Sequence, residues 1–224
     1  MKKILIIAAH PDDELLGCGG TVAKLIEEGY TAKTVLLGKG MLARGKEHEK
    51  YLEKHLENSK NANKEIGIEE IEIYDFPDNS FDSVPLLEII KIVEKEITKF
   101  KPNIIFTHHG NDLNIDHRKT FEAVMTACRP QPESLNPKIY TFFIPSSTDW
   151  VDGDSLNSFI PNTFVNIEKQ IGKKIKALSY YDTEMKVYPH SRSLESLKIF
   201  SQYWGNRVGL NYAEPLKLIR NIIR

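Results

Sequence analysis

Two groups of polar side chains follow apolar segments of this sequence and hold most of the residues that could do chemistry. His10-Pro11-Asp12-Asp13-Glu14 follows the apolar run 4–9, and three histidines with two aspartates fall within residues 108–117. Imidazole and carboxylate groups are ligands of Zn²⁺, which in catalytic sites keeps one position open for water. If the two groups meet in the fold, they predict a hydrolytic metal site.

The spacing suggests which side chains bind the ion. His10 and Asp13 lie three residues apart across an expected strand–helix turn and can converge on one ion. His117 can complete the set of three protein ligands. Asp12 then stands beside the metal-bound water, where a general base is needed.

A turn is the competing interpretation of each group. Pro11 fixes φ, and one aspartate of the first group can cap a helix. Asp116 can likewise cap a helix that starts near Arg118. This interpretation leaves His10 and the second aspartate of the first group unexplained.

Strands and helices alternate in the first half of the sequence. Short apolar or Thr- and Val-rich runs predict strands at 4–9, 31–37, 71–74 and 103–107. Helical apolar spacing predicts helices at 14–28, 46–66, 84–100 and 118–128. This alternation implies parallel strands in a Rossmann-like, doubly wound α/β sheet with helices on both faces. Ligands of such sheets bind at the carboxyl ends of the strands, where both polar groups fall.

The second half is less regular. We expect strands at 138–144 and 164–167, helices at 168–181 and 194–204, and a polar loop at 146–162. No internal repeat or linker divides the sequence, so we expect residues 1–224 to form a single domain. Gly17, Gly19 and Gly20 do not complete a dinucleotide fingerprint, because Val22 stands where it needs glycine. These glycines instead predict close packing of the first helix on the sheet.

Composition narrows the class of protein. The 224 residues carry 30 Lys and Arg against 31 Asp and Glu, so net charge gives no reason to expect nucleic acid as a partner. No apolar run approaches the roughly 20 residues that span a bilayer. The two cysteines are too few for a disulfide framework and fit a reduced, cytoplasmic protein.

Ala9-His10-Pro11-Asp12-Asp13-Glu14 resembles the signature of the PIG-L/LmbE-type zinc-dependent N-acetylglucosaminyl deacetylases. Asn114-Ile115-Asp116-His117 sits where that family has its second motif, His-x-Asp-His. Pro189–Ser193 and Ala213-Glu214 match more weakly. The resemblance implies that His10, Asp13 and His117 bind zinc, although Fe²⁺ or Co²⁺ also suits such ligands. It further implies that Asp12 is the general base and that Asp116 orients a motif histidine.

The function that the resemblance implies is removal of acetyl from a small N-acetylated amino sugar, such as an N-acetylglucosamine conjugate. The alternatives are a metal-dependent hydrolase of another amide or acyl substrate, and a non-catalytic sugar-binding relative. The family also implies a homo-oligomer, either a trimer or a hexamer.

Asn114 departs from the family pattern, which commonly has histidine there to stabilise the oxyanion. An amide can donate to an oxyanion, a contact worth about 3–4 kcal/mol in other enzymes, but it cannot deliver a proton. We therefore expect Asp12 to carry the proton to the leaving amine, or His108 or His109 to assist.

Weaker assignments concern the substrate. Arg44, His109, His190 and Arg192 are assigned to substrate binding at the edge of the site. Trp150 either stacks on a sugar or anchors its loop. His48 and His55 belong to a charged helix and are expected to be solvated.

Overall fold

The computed structural model describes residues 2–41, 43, 45, 50–132, 134–151 and 158–223. Its strands are β1 (Lys3–Ala8), β2 (Thr31–Gly38), β3 (Glu70–Phe76), β4 (Ile104–His108), β5 (Lys138–Phe142), β6 (Thr163–Asn166) and β7 (Ala213–Arg220). Its α-helices are α1 (Asp13–Glu27), α2 (Leu52–Ile66), α3 (Leu86–Phe100), α4 (Ile115–Ala127), α5 (Ile171–Leu178) and α6 (Leu194–Asn206). In the described part of the chain, no helix has the length and apolar content that crossing a bilayer requires.

The strands form one sheet in the order β3-β2-β1-β4-β5-β7-β6. Neighbouring strands from β3 to β5 are parallel, and β7 is antiparallel to both β5 and β6. The predicted Rossmann-like, doubly wound sheet is therefore confirmed. Because β1 pairs with β2 on one side and β4 on the other, the order reverses between β1 and β4. Such a reversal opens a crevice at the carboxyl ends of the two strands, and this crevice positions the site.

The continuous apolar run of β1 follows from its place at the centre of the sheet. Ile4 and Ile6 belong to the core that includes residues of α1, α2 and α5. Leu5 and Ile7 point to the opposite core, formed with α3 and α4. Since helices cover both faces, no position from Ile4 to Ala8 faces water, and these side chains need not alternate in polarity.

The glycines of α1 allow close packing on the sheet, as predicted. A Cβ added at Gly17 would lie 2.3 Å from the Phe142 ring, and one at Gly20 would lie 2.9 Å from Ile167 Cδ1. The helix is kinked at Cys18, whose φ of −145° is not helical. Close approach and the kink thus both occur in the turn of α1 that lies behind the predicted metal ligands.

The start of α4 differs from the prediction. Asn114, not Asp116, is its N-cap, and Asn114 Oδ1 accepts a hydrogen bond of 2.8 Å from the Asp116 amide. The helix therefore begins at Ile115, three residues before the predicted start. The cap role that competed with a site role for Asp116 is wrong, and its carboxylate is available for other partners.

Strand β7 has no counterpart among the predicted elements. Pro215 breaks the strand pattern, because proline lacks the N–H that a strand inside a sheet donates. In the structure, Pro215 pairs with Phe164 of β6, and the pairing with β5 begins only at Leu216. The proline thus lies beyond the end of β5, where the strand has a neighbour on one side only.

Candidate active site

A cavity of about 150 Å³ opens at the carboxyl ends of β1 and β4. Residues from six separate segments of the chain line it. They are His10, Pro11, Asp12 and Asp13 after β1, Gly40 and Met41 after β2, His55 from α2, Asp78 and Asn79 after β3, Asn114 before α4, and Glu184 and Arg192 from the second half. Most of these groups are polar or charged, which suits a polar reactant more than an apolar one.

The three predicted ligands meet beside this cavity. His10 Nδ1 lies 3.4 Å from Asp13 Oδ2, and His117 Nε2 lies 3.2 Å from the same oxygen. One ligand atom from each of the three residues falls within 4.8 Å of the others. Two imidazoles and a carboxylate with this convergence could hold a divalent cation such as Zn²⁺.

Each of the two imidazoles is held by a carboxylate on its other nitrogen. Asp116 Oδ2 accepts a hydrogen bond of 2.9 Å from His10 Nε2. His117 Nδ1 lies 3.0 Å from Asp112 Oδ1. Carboxylates in this position fix the orientation of metal-binding histidines and raise their basicity.

Both supporting carboxylates are themselves fixed. Asp116 accepts backbone hydrogen bonds from Asn79 (2.7 Å) and Phe81 (2.9 Å). Asp112 accepts hydrogen bonds from the hydroxyl groups of Ser147 and Thr148, the latter at 2.6 Å. The loops after β3 and β5 thereby hold the histidines from behind.

Two buried atoms of the cluster support a cation at its centre. In the described part of the chain, Asp13 Oδ1 and His117 Nε2 are buried and form no hydrogen bond of acceptable geometry. Buried polar atoms without partners are costly, and native structures rarely keep them. Because both atoms belong to residues of the convergent set, a cation bound between these residues could satisfy them, and the residues present fit a metal.

The charges around the cluster also favour a cation. Burial opposes protonation of His10, but Asp116 and Asp13 outweigh it and raise the pKa of His10 to about 10. Burial likewise opposes protonation of His117, yet the charges of Asp13 and Asp112 raise its pKa to about 9. The carboxylates thus draw positive charge into the site. A divalent cation can supply that charge in place of the two protons.

Asp12 is the carboxylate beside the cluster that is placed to act as a base. It is 2% exposed, and its Oδ2 accepts a hydrogen bond of 3.0 Å from Arg192 Nη1. Burial raises the pKa of Asp12 well above its ordinary value, and the Arg192 charge opposes that rise. A carboxyl with a raised pKa accepts a proton more readily than an ordinary aspartate, as general bases require.

The backbone of Asp12 is in an unusual conformation, with φ of 101°. Its amide donates to Glu14 Oε2 at 3.0 Å, and its carbonyl accepts from the amides of Leu15 and Leu16. Burial is the main cause that raises the pKa of Glu14, to about 7. Non-glycine residues seldom take positive φ unless the surroundings fix it, and such strain concentrates at functional sites.

Glu14 is fixed in turn from α2 and the segment after α5. Its Oε1 accepts hydrogen bonds of 2.7 Å from both Asn63 Nδ2 and the Tyr181 hydroxyl. All three side chains are buried. The last residue of the His-Pro-Asp-Asp-Glu motif therefore supports the turn and does not reach the cavity itself.

Asn114 lines the cavity, with part of its amide already used. Its oxygen caps α4, and its Nδ2 donates to Asn79 Oδ1 at 3.0 Å. A side-chain amide has two N–H groups. One N–H of Asn114 therefore remains to donate to a reactant.

Only some of the residues predicted to bind substrate line the cavity. Arg192 lines the cavity, whereas His109 packs edge-on against Phe159 with ring centroids 5.3 Å apart. His190 contacts Trp150 and is absent from the described lining. His48 and the predicted substrate ligand Arg44 lie outside the described residues.

His108 has a supporting position. It is fully buried and stacks on His117 with ring centroids 3.9 Å apart, and its Nε2 accepts from the Ala9 amide at 2.9 Å. Burial lowers the pKa of His108 well below its ordinary value, and the nearby His117 charge adds to this. The ring therefore stays neutral and ties the end of β1 to α4.

Several site residues have no counterpart in the sequence prediction. His55 is 3% exposed and lines the cavity, so the expectation that it is solvated is wrong. Glu184, with a 3.8 Å contact to Arg192, and Asp78, 3.4 Å from His10 Nε2, also line it. Asp112, which holds His117, was not predicted either. Of these residues it alone could have been found from the sequence, because it lies in the dense polar group five residues before His117.

Replacing Asp112 by Ala should weaken metal binding by about 10–100-fold, the range found when a carboxylate behind a metal-binding histidine is lost. The change removes the partner of His117 Nδ1 but none of the three ligand atoms. Competition with a chelator of known affinity measures the dissociation constant. Asp182→Ala is the control, since Asp182 is an exposed aspartate that pairs with Lys54 and makes no contact with the cluster. Equal affinities for the wild type and Asp112→Ala would rule out this supporting role.

The fold and site define an α/β protein with a His/Asp cluster at its topological switch point. Residues 5–128 match the PIG-L family, described as GlcNAc-PI de-N-acetylase. Because the match covers more than half of the chain, the chain belongs to this family. The predicted family and enzyme class, a hydrolase of the deacetylase type, are confirmed.

Individual relatives agree with this placement. The chain is 29% identical over 174 residues to the uncharacterized deacetylase YaiS of Escherichia coli K12, covering 75% of this chain and 84% of YaiS. It is 26% identical to the diacetylchitobiose deacetylase of Thermococcus kodakarensis, covering 99% of this chain and 85% of that protein. The 4-carboxy-2-hydroxymuconate hydratase GalB of Pseudomonas putida KT2440 shares the fold, with a TM-score of 0.79, 20% identity and coverage of 100% and 98%. The fold alone therefore does not fix the reaction.

Proposed function

We propose that this chain is a zinc-dependent deacetylase of small N-acetylated amino sugars, acting within a single domain of residues 1–224. The convergence of His10, Asp13 and His117 beside the buried Asp12 carries the proposal. The diacetylchitobiose deacetylase of Thermococcus kodakarensis, to which almost the whole of this chain is similar, supports the substrate class. The cytoplasmic location and the trimer or hexamer expected from the sequence stay predictions.

His10, Asp13 and His117 would hold the metal. A divalent cation bound there supplies a Lewis acid that polarises the amide carbonyl and lowers the pKa of a water molecule. Asp112 and Asp116 keep the two imidazoles turned towards the ion. Zinc is proposed over Fe²⁺ and Co²⁺ because it suits nitrogen and oxygen ligands and has no redox chemistry.

Asp12 takes the proton from the water that attacks the acetamide carbon. Arg192 holds the Asp12 carboxylate in place and favours its ionised form before the attack. Asn114 lines the cavity, and its remaining N–H donates to the oxygen of the tetrahedral intermediate. Asp12, now protonated, returns its proton to the leaving amine, so acetate and a free amino sugar are formed.

The test is deacetylation of N,N′-diacetylchitobiose and N-acetylglucosamine by the purified zinc-loaded protein. Acetate and primary amine should appear in equal amounts, because each amide cleaved gives one of each. Removal of metal by a chelator should abolish both signals, and added Zn²⁺ should restore them. A zinc-binding protein that releases acetate from simple acetamides but from neither sugar would favour the alternative amidase. Tight sugar binding without any acetate would favour a non-catalytic sugar-binding protein.

A further inference from the structure

Trp150 lies outside the described cavity lining, and the proposed chemistry does not use it. Its side chain is 51% exposed, and its indole meets the His190 imidazole with ring centroids 5.9 Å apart and planes at 65°. A single exposed aromatic residue needs no explanation by itself. The connections of Trp150 and His190 to the site residues are what distinguish this pair.

The first connection runs along the chain from the metal cluster. Trp150 ends a short 3₁₀ turn, Thr148–Trp150. Thr148 and the preceding Ser147 both donate to Asp112, the partner of His117. Trp150 is therefore only two and three residues along the chain from the two hydroxyl groups that hold the metal cluster.

The second connection runs through Arg192. Its backbone amide donates to His190 Nδ1 at 3.0 Å, and its Nε donates to Ser146 Oγ at 2.7 Å. Its Nη1 binds the Asp12 carboxylate. One partly buried arginine thus ties the loop of Trp150 and the loop of His190 to the general base. The aromatic pair therefore has a fixed position relative to the cavity.

The cavity is small for a conjugated sugar. Its volume of about 150 Å³ is below the roughly 300–1,000 Å³ of pockets that enclose a whole small ligand. A substrate with more than one ring must extend beyond it. The indole is a large, rigid and amphipathic surface at low entropic cost, and the C–H face of a sugar ring is a partner for such a surface.

We propose that Trp150, supported by His190, binds the second ring of a disaccharide whose N-acetylated first ring occupies the cavity. This inference rests on the proposed deacetylase function and narrows its substrate class from single amino sugars to glycosides with a further sugar ring. It makes Trp150 a specificity-determining residue with no part in the chemical step.

Kinetics with paired substrates test the proposal. Trp150→Ala should lower kcat/KM for N,N′-diacetylchitobiose about tenfold, the effect of losing a contact of about 1.4 kcal/mol, through KM and not kcat. It should leave kcat/KM for N-acetylglucosamine unchanged, because that sugar has no second ring. Trp150→Phe should retain much of the preference. Tyr203→Ala is the matched control, since Tyr203 is an aromatic residue of similar exposure on α6.

Tryptophan fluorescence measures sugar binding at Trp150 without requiring deacetylation, so it tests this inference separately from the proposed function. The chain has two tryptophans, and Trp204 is only 7% exposed, so Trp150 dominates any response to a ligand at the surface. Titration of the Asp12→Asn protein with diacetylchitobiose should shift its emission, and the added Trp150→Phe change should remove the shift. If neither sugar is deacetylated yet the shift occurs, the proposed function fails and the binding site stands. Equal loss on both sugars, no loss on either, or no shift would overturn the Trp150 proposal.

Discussion

Replacing Asp12 by Asn should lower kcat for deacetylation by about 10²–10⁴-fold, the usual contribution of a positioned general base. Asparagine has nearly the shape of aspartate but cannot accept the proton of the attacking water. It also tolerates positive φ better than most residues, so the backbone at φ 101° should be kept. Acetate release at saturating substrate measures the change.

The metal content of the same variant identifies the role that is lost. Asp12 is not one of the three convergent ligands, so the Asp12→Asn protein should hold as much zinc as the wild type. Asp13→Asn, next in sequence, should lose metal and activity together because Asp13 supplies a ligand oxygen. Elemental analysis of the dialysed proteins distinguishes the two cases. Loss of zinc from Asp12→Asn would make Asp12 a ligand, and an unchanged rate would remove it from the mechanism.

Asp182→Asn is the control for the loss of an aspartate as such. Asp182 is exposed and pairs with Lys54 at 2.8 Å, away from the cavity lining. Exposed pairs of this kind contribute little to stability. Its variant should therefore keep both rate and metal, and a comparable loss there would mean that the assay reports folding and not the base.

The first half of the fold could be predicted because its strands and helices follow simple periodicities. The run that becomes β1 is covered by helices on both faces, so its sequence is apolar throughout. Parallel strands place their carboxyl ends at one edge, so the polar groups after β1 and β4 had to approach each other. The structure accordingly brings His10 and His117 to one side chain, Asp13.

The side chains behind this cluster could not be predicted in the same way. Asp112 is held in place by Ser147 and Thr148, which lie 35 and 36 residues further along the chain in an irregular loop. The position of Asp116 depends on the backbone amides of Asn79 and Phe81, which carry no sequence signal. Local patterns can indicate which residues bind an ion, but long-range loop contacts decide which residues orient them.

The burial of polar residues on the charged helix α2 could also not be predicted from the sequence. His55 and Asn63 lie on the charged helix α2, whose apolar stripe is narrow, yet both are buried. Asn63 points inwards because Glu14 and Thr34 provide partners for its amide, at 2.7 Å each. A buried network of this kind follows from mutual satisfaction of polar groups, which periodicity does not describe.

The role of β7 could not be predicted for the same reason, because it depends on buried polar contacts between distant parts of the chain. Glu214, near the start of this strand, is 1% exposed and accepts hydrogen bonds from the amides of Gly20 (2.8 Å) and Thr21 (2.6 Å). Its Oε1 also accepts a hydrogen bond of 2.6 Å from Lys174 Nζ, which donates in addition to the Leu16 carbonyl. These partners lie on both sides of the α1 kink at Cys18. Glu214 therefore caps the second part of α1, and Lys174 satisfies a carbonyl of the first part.

Replacing Glu214 by Gln should lower the free energy of unfolding by about 3–5 kcal/mol, because Lys174 is left as a buried, unpaired charge. For a chain of this length, 1 kcal/mol corresponds to about 2–4 °C in Tm, so the melting temperature should fall by about 6–20 °C. Circular dichroism during heating and in urea measures both quantities. Asp182→Ala, which breaks an exposed pair, should cost only about 0–1 kcal/mol.

The double variant Glu214→Gln/Lys174→Met distinguishes an unpaired charge from a lost helix cap. Removing both charges eliminates the buried ammonium, so the double variant should recover much of the stability that Glu214→Gln loses. The glutamine oxygen can still accept from one of the amides after the kink, which leaves a smaller residual cost. Equal instability of the single and double variants would assign the loss to the cap. A Tm of Glu214→Gln within about 2 °C of the wild type, less than 1 kcal/mol, would refute the importance of this contact for the fold.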